Sequence, residues 1–391
     1  MKNQKGGRTI NRIVFTLSGC AVLILAYGCS GKHQMVRYGP EDHQILRANS
    51  GDHQTIRFQQ EVEKFHQHVR QDWGADAEVS GVTTFVKYNN KFKSRATIDF
   101  SARRVTVETT DDVNPEDSLK QAIVATLLTP NDPTKVDLFS DTDTVFYGEP
   151  FLFGDVLDHD KQPLRWPWRA NRYAQHLIEK VKKQRTVTTQ GGVKKTSYYV
   201  TFDMVGSGKF GDVQVAHVMG KKYKEQVLKQ AQRFNLDPSL IFAIMETESQ
   251  FNPYAVSSIP AFGLMQVVPG SAGKDAWKLL KNSNGRPSKS YLFNPNNNIE
   301  MGSAYLHILS SRYLADIKHP KSREYCVIAA YNTGSGNVLK TFSRDRKYAV
   351  TVINRLDPQE VFNRLKNSLP YEETRRYIKK VTAAKKRYTA L

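Results

Sequence analysis

Three cysteines in 391 residues cannot staple a chain of this length, which excludes a disulfide scaffold. Long hydrophobic runs are equally scarce. Only one apolar stretch, close to the N-terminus, approaches membrane length, so a polytopic membrane protein is excluded as well. Internal repeats, helix-turn-helix patterns, zinc-ligand spacings and aromatic RNA-binding strands are all missing. No nucleic-acid partner, metal or cofactor is therefore expected. Acid is the minority charge, with 38 Asp and Glu against 57 Lys and Arg, for a formal charge of +19. What is present is apolar and aromatic. A hydrophobic fraction of 39% with 37 Phe and Tyr excludes a disordered polyelectrolyte. At ~100–200 residues per domain, the length suits two domains.

The first thirty residues read as an address. Lys2, Lys5, Arg8 and Arg12 precede an almost wholly apolar run, Ile13 to Tyr27, that ends in Gly28-Cys29-Ser30-Gly31. A positive segment, a short apolar core and a small residue at the boundary make a secretory signal. The core falls short of the ~20 residues that a membrane-crossing helix needs. A cysteine after the small residue resembles the bacterial lipoprotein cleavage site, which implies residues 1–28 as signal peptide and acylated Cys29 as the new N-terminus. Leu17-Ser18-Gly19-Cys20 fits the local pattern better, but too little apolar core would precede that cut. Acyl chains add about 0.8 kcal/mol of membrane affinity per buried methylene, so several on one residue anchor durably. Loss of residues 1–28 removes four cations and no acid, leaving +15.

Residues 29–50 carry no periodicity and read as a tether. A helix from Phe58 to about Trp73 follows from Phe58, Val62, Phe65 and Val69. Strands are expected at 82–88, 94–100 and 103–110, with further strand-like pieces near 151–157 and 197–204. Helices are expected at 115–128, where Asn114 caps and Pro115 opens the first turn, and between 170 and 183. From 213 onward nearly everything reads helical: 213–234, 238–248, 272–280, 298–316, 323–331, 358–369 and 372–388. Cys326, in an apolar helical stretch, reads as a small buried thiol.

One helix carries chemistry. Asp237-Pro238 supplies a cap and a first-turn proline, and the helix runs through Leu240-Ile241-Phe242-Ala243-Ile244-Met245-Glu246-Thr247-Glu248. Pro253 disfavours α conformation at Asn252, which ends it just after Glu248. Desolvation by Ile244 and Met245 and the negative end of the helix dipole both favour the neutral form of Glu248. A carboxyl kept protonated near neutral pH is what a general acid requires. Glu246 competes for that part, but lies ~200° away around the helix, so the two acids cannot cooperate. Because the helix is apolar all round, its periodicity does not choose between them.

The wider pattern does. Glu248-Ser249-x-Phe251-Asn252-Pro253, then Ser257, Gly263-Leu264-Met265-Gln266 and Pro269-x-Ser271-Ala272, resembles the soluble-lytic-transglycosylase family, whose catalytic domain is lysozyme-like. Ala330-Tyr331-Asn332-x-Gly334-x-Gly336 resembles that family's second motif, and Glu373-Thr374-Arg375-x-Tyr377-x-x-Lys380-Val381 its third. Phe85-Val86-Lys87-Tyr88 and Val136-Asp137-Leu138-Phe139-Ser140-Asp141 resemble the N-terminal domain of a membrane-bound branch of murein transglycosylases. The expected fold class is α+β: a mixed α+β domain over 51–207, then an all-α lysozyme-like transglycosylase domain over 208–391. The family often has glycine where Pro260 stands and a small or aliphatic residue where Phe262 stands, so the loop before Gly263 departs from the pattern.

The resemblance implies an enzyme that cuts the MurNAc–GlcNAc β-1,4 bond of peptidoglycan without water, leaving 1,6-anhydro ends. Glu248 would act as acid and then as base. Ser257 and Gln266 would offer hydrogen bonds near the acid and the saccharide, Tyr331 and Asn332 would line the cleft, and Tyr377 would close it. Ordinary glycosidases pair two carboxylates, and no second acid stands out within the motifs. A hydrolytic lysozyme of the same fold and a non-catalytic wall-binding lipoprotein are the alternatives. The expected partners are glycan strands and, through the lipid, the outer membrane at its periplasmic face, because Ser30 is not the aspartate that commonly retains lipoproteins in the inner membrane. The positive charge suits the anions found there, lipid head groups and wall peptides. Partners in a wall-remodelling complex have no signature in the sequence.

Overall fold

The structure, a computed structural model, describes residues 53–389 apart from 145, 147, 209 and 210. The expected signal, the tether and the lipidation at Cys29 lie outside the described residues. No helix among the described residues is long and apolar enough to cross a membrane.

Helix α1, His53–Trp73, precedes three strands, β1 (Thr84–Asn89), β2 (Ser94–Asp99) and β3 (Arg104–Thr109). Helices α2 (Pro115–Leu127) and α3 (Pro167–Val181) follow, then β4 (Lys183–Thr188) and β5 (Lys194–Asp203). The strands form one antiparallel sheet in the order β1-β2-β3-β5-β4, with Ile98 opposite Val105 and Val107 opposite Val200. Alternation sorts its side chains. Phe85, Ala96, Ile98, Val105, Val107 and Val200 face α2 and α3, burying Leu119, Ile123, Ala174 and Leu177. Val86, Tyr88 and Val187 face Phe65, Val69 and Trp73 of α1 on the other side. That second face also buries charge: Arg95 binds Glu108 at 2.5 Å and stands over the Trp73 ring.

From Gly211 the described elements are helical. They are α4 (Gly211–Phe234), α5 (Pro238–Ser249), α6 (Ala272–Lys281), α7 (Lys289–Phe293), α8 (Pro295–Ile308), α9 (Pro320–Thr333), α10 (Ser335–Lys340), α11 (Arg346–Arg355), α12 (Pro358–Ser368) and α13 (Glu372–Lys385). The apolar helix α5 sits at the centre, with Leu240 to Met245 all buried, packed by α4, α13 and the closing turn Lys386–Tyr388. Cys326 is fully buried in α9, and burial pushes its thiol pKa up. A single apolar cluster runs from the sheet and α2 into the helical half without interruption.

The fold class is the expected α+β, with local corrections. The piece at 151–157 is not a strand: Gly154 turns the chain at φ +79°, and only isolated bridges form, Phe153 with Val156 and Leu157 with Pro163. Phe151, Leu152 and Val156 are buried as core filler. Strand β4 was not expected, since Val187 is its only buried residue and leaves no alternation to read. The helix expected at 298–316 begins earlier, where Asn294 caps and Pro295 opens the first turn, and gives way after Ile308 to a π-helical turn, Leu309–Tyr313. Helices α7, α10 and α11 were not expected.

Candidate active site

The site is built around the end of α5. Asp237 accepts a hydrogen bond from the Ser239 amide at 2.9 Å and fixes where the helix starts. The end is a sharp reversal through two non-glycine residues in the left-handed region, Gln250 (φ 52°) and Phe251 (φ 62°). Such backbone persists only where its surroundings enforce it. Phe251 is buried, its ring 6.4 Å from Tyr223, and Asn252 is fully buried. Glu248 therefore sits in the last turn, next to a rigid corner, with part of its surface open to solvent.

Tyr377 of α13 donates its hydroxyl to Glu248 Oε1 at 2.7 Å, and only 6% of Tyr377 is exposed. Burial pushes the Glu248 carboxyl up to about 8; the Tyr377 hydrogen bond opposes the rise and the charge of Glu373 adds to it. Desolvation wins. Burial also raises the Tyr377 and Tyr331 hydroxyls well above their ordinary range, with the Glu248 charge adding to both. Tyr377 is thus a permanent donor.

The loop from Gly263 to Gln266 is held from three sides. Asn298, fully buried in α8, donates to the carbonyls of Phe262 (2.7 Å) and Leu292 (2.8 Å) and accepts from the Met265 amide (2.8 Å). Ser249 Oγ lies 2.8 Å from the Leu264 carbonyl, and Tyr331 donates to the Met265 carbonyl at 2.8 Å. Gly263 has φ +72°, and a Cβ there would stand 2.5 Å from Asn298 Nδ2, so no side chain fits.

The expected site residues take different places. Gln266 is half-buried, its amide donating to the carbonyls of Ala255 (3.2 Å) and Gly263 (3.0 Å); its Oε1 makes no hydrogen bond among the described residues. Asn332 donates to Glu373 at 3.2 Å and accepts from Thr374 Oγ1 at 2.6 Å. Ser257 spends its hydroxyl on the loop itself, donating to the Ile259 carbonyl and accepting from the Ala261 amide. Phe262 packs edge-on against Phe58 of α1 (5.3 Å) and Phe293 of α7 (5.5 Å), which accounts for an aromatic ring at that position. Glu373 and Thr374 complete the arrangement and were not singled out beyond their motif. Asn298 gave no signal, because its partners are backbone groups far away in sequence.

Glu373 stays at the site, held by Asn332, while acids near Glu248 in sequence are engaged elsewhere. Glu246 is bound by Arg387 and Tyr388, Asp275 accepts from Tyr313 at 2.9 Å, and Glu300 pairs with Arg233 at 2.5 Å. Among the described residues no cluster of three His, Cys, Asp or Glu could hold a metal ion. An open hollow beside α3, lined by Lys120, His159, Arg172, His176 and Glu179, contains no residue of the three motifs.

Residues of all three motifs meet around a part-buried carboxyl at the end of a buried helix, and the class that the comparisons define is the lytic transglycosylases. Residues 50–209 match the family described as membrane-bound lytic murein transglycosylase C, N-terminal domain, and residues 225–354 match the transglycosylase SLT domain. Tyr377 and Glu373 lie beyond that second match. Membrane-bound lytic murein transglycosylase C from Yersinia pestis (strain Pestoides F) is 43% identical over 327 residues, covering 83% of this chain and 88% of its own. The protein of that name from Yersinia pseudotuberculosis serotype O:1b (strain IP 31758) gives the same values, 43% over 327 residues. The solved 70 kDa soluble lytic transglycosylase of Escherichia coli is 27% identical over 43% of this chain, with a TM-score of 0.34. The chain spans about a quarter of that protein's length (24%). The chain belongs to the membrane-bound lytic murein transglycosylase C family.

Proposed function

We propose that this chain cleaves the β-1,4 bond between MurNAc and GlcNAc of peptidoglycan without water, with Glu248 as the single acid and base, in the turnover and remodelling of the wall. The observation that carries the reading is the Glu248 carboxyl, raised to about 8 and oriented by Tyr377 through Oε1. The protonated carboxyl gives its proton to the glycosidic oxygen as the bond to the anomeric carbon breaks. The resulting carboxylate then takes the proton from the 6-hydroxyl of the same MurNAc as that oxygen attacks the anomeric carbon. A 1,6-anhydro ring closes and Glu248 regains its proton. An intramolecular nucleophile needs no activated water and hence no second carboxylate, so Glu373, the other acid at the site, need only hold Asn332.

Tyr377 holds one carboxyl oxygen and leaves the other for proton transfer. Gln266, through its Oε1, and Asn332 would meet the saccharide, and Tyr331 would act through the Met265 carbonyl it holds. Ser257 would shape the loop beside the saccharide through its hydroxyl. The same reading carries the signal 1–28, acylated Cys29, the tether 29–50, domains over 51–207 and 208–391, and an outer-membrane anchor that keeps the enzyme at the periplasmic face.

Glu248→Gln should abolish lysis of purified murein while the circular dichroism and the binding to murein remain. Mass spectrometry of the wild-type digest should show anhydro-muropeptides; reducing ends instead would make it a hydrolase, and lysis by the Gln variant would remove Glu248 from the mechanism.

A further inference from the structure

We infer that the first half of the chain is the platform that holds the loop behind Glu248 in working shape, with Tyr254 as the positioning residue that transmits its grip. The inference rests on the reading of Glu248 as the acid.

Tyr254 lies six residues after Glu248, on the loop of the helical half, yet the ring contacts and the hydroxyl bond of its side chain are to the first half. Its ring is fully buried, edge-on to Phe85 of β1 (4.9 Å) and to Phe151 (5.2 Å), and its hydroxyl donates to the Pro130 carbonyl at 2.6 Å. The flanking residues are fastened to the same half. Asn252 donates to the Val82 carbonyl (3.1 Å), the Val256 amide to the Gly81 carbonyl (3.2 Å), and Gln59 of α1 to the Ser258 carbonyl (3.0 Å). Phe262 closes the series against Phe58.

That loop leads directly to the site. The carbonyl of Ala255, next to Tyr254, accepts from the Gly263 amide (2.9 Å) and from the Gln266 side chain (3.2 Å). Phe262 and Val267 exchange backbone hydrogen bonds at 3.2 Å, which closes the loop. Met265, inside it, is held by Tyr331. At the other end stand the left-handed residues Gln250 and Phe251, directly after the acid's helix. A backbone in that region does not hold itself there, and the platform supplies the constraint. The loop sits between two ends that both bear on Glu248, and Tyr254 is its deepest anchor.

The test is kinetic, on the full chain with a soluble murein oligosaccharide. Tyr254→Phe keeps the ring packing and loses the bond to Pro130. Its kcat should fall about tenfold, with KM within about twofold, as misplacement of a bound substrate predicts, while the melting temperature drops because the Pro130 carbonyl is left buried without its donor. Phe85→Leu, which lies on β1 in the first half, should reproduce the fall in kcat. Because Tyr254 and Gln266 act through the same Ala255 carbonyl, Tyr254→Phe combined with Gln266→Ala should lose less than the product of the single losses. A Tyr254→Phe enzyme with unchanged kcat, or effects that simply multiply, overturns the inference. If Glu248→Gln is dead while Tyr254→Phe is normal, only the platform falls. If Glu248→Gln still lyses murein, the acid assignment falls and the platform with it.

Discussion

Glu248 accepts a short hydrogen bond from Tyr377, an interaction that favours the carboxylate, and still titrates at about 8. Burial therefore outweighs the hydrogen bond, and the balance has two measurable consequences. The first concerns stability. A carboxyl raised from 4.5 to about 8 contributes stability that is fully present below pH 4.5 and lost as pH rises through 8. Glu248→Gln has no such loss, so between pH 4 and pH 9 it should gain on the wild type by on the order of 3 kcal/mol, discounted for partial exposure. Urea titrations at the two pH values check this, and parallel curves would show that the carboxyl is not desolvated. The second concerns rate. Lysis should fall as pH rises through about 8, since the acid must carry its proton. Tyr377→Phe removes the bond that favours the charged form, so its alkaline limb should move to higher pH while the maximum rate drops about tenfold or more from lost orientation. A pH–rate profile of that variant decides the point: an unmoved limb would mean that Tyr377 does not touch the working carboxyl.

At the scale of elements, legibility in the sequence followed how local the determining physics was. Helix α5 was readable because its cap, its first-turn proline and the proline beyond its end lie within or next to it. The strands β1, β2 and β3 were readable because one apolar face alternates with the other. Strand β4 was not: it buries only Val187, and its pairing with β5 is set by backbone partners that carry no pattern. The run at 151–157 misled for the opposite reason, since its burial comes from tertiary filling around a turn at Gly154. At the site, Glu248 and Tyr377 stood out through their motifs, whereas Asn298 did not, although it joins α8 to the stretch Phe262–Met265 by two hydrogen bonds and to Leu292 of α7 by a third. Asn298→Ala should cost about 2–4 kcal/mol, because it strands the Leu292 carbonyl and the Met265 amide in the interior and takes from the Phe262 carbonyl one of its two donors. It should also lower kcat as the loop loosens. Asn298→Asp can still accept from Met265 but cannot donate to Phe262 and Leu292, so it should be no better. Thermal melts and lysis assays of both variants test this, and an alanine variant as stable as wild type would remove Asn298 as the pin.

For the whole molecule, the change from mixed to helical composition was visible in the sequence, but the union of the two halves was not, because it depends on residues that meet only after folding. Asp155, buried in the first half at 2% exposure, is held by Arg103 of its own half at 2.5 Å and by Lys222 of α4 at 3.4 Å. Lys222 also donates to the Phe151 carbonyl, beside the ring that packs on Tyr254. With one apolar cluster running through both halves, neither retains its full core when the other unfolds. Calorimetry should therefore show a single transition whose calorimetric and van't Hoff enthalpies agree, coincident with loss of near-ultraviolet signal. Lys222→Ala should lower that one transition as a unit, by about 1–3 kcal/mol, since it removes a partner from a buried carboxylate. Two separable transitions, or a Lys222→Ala shift confined to one of them, would show the halves to be independent modules that merely touch.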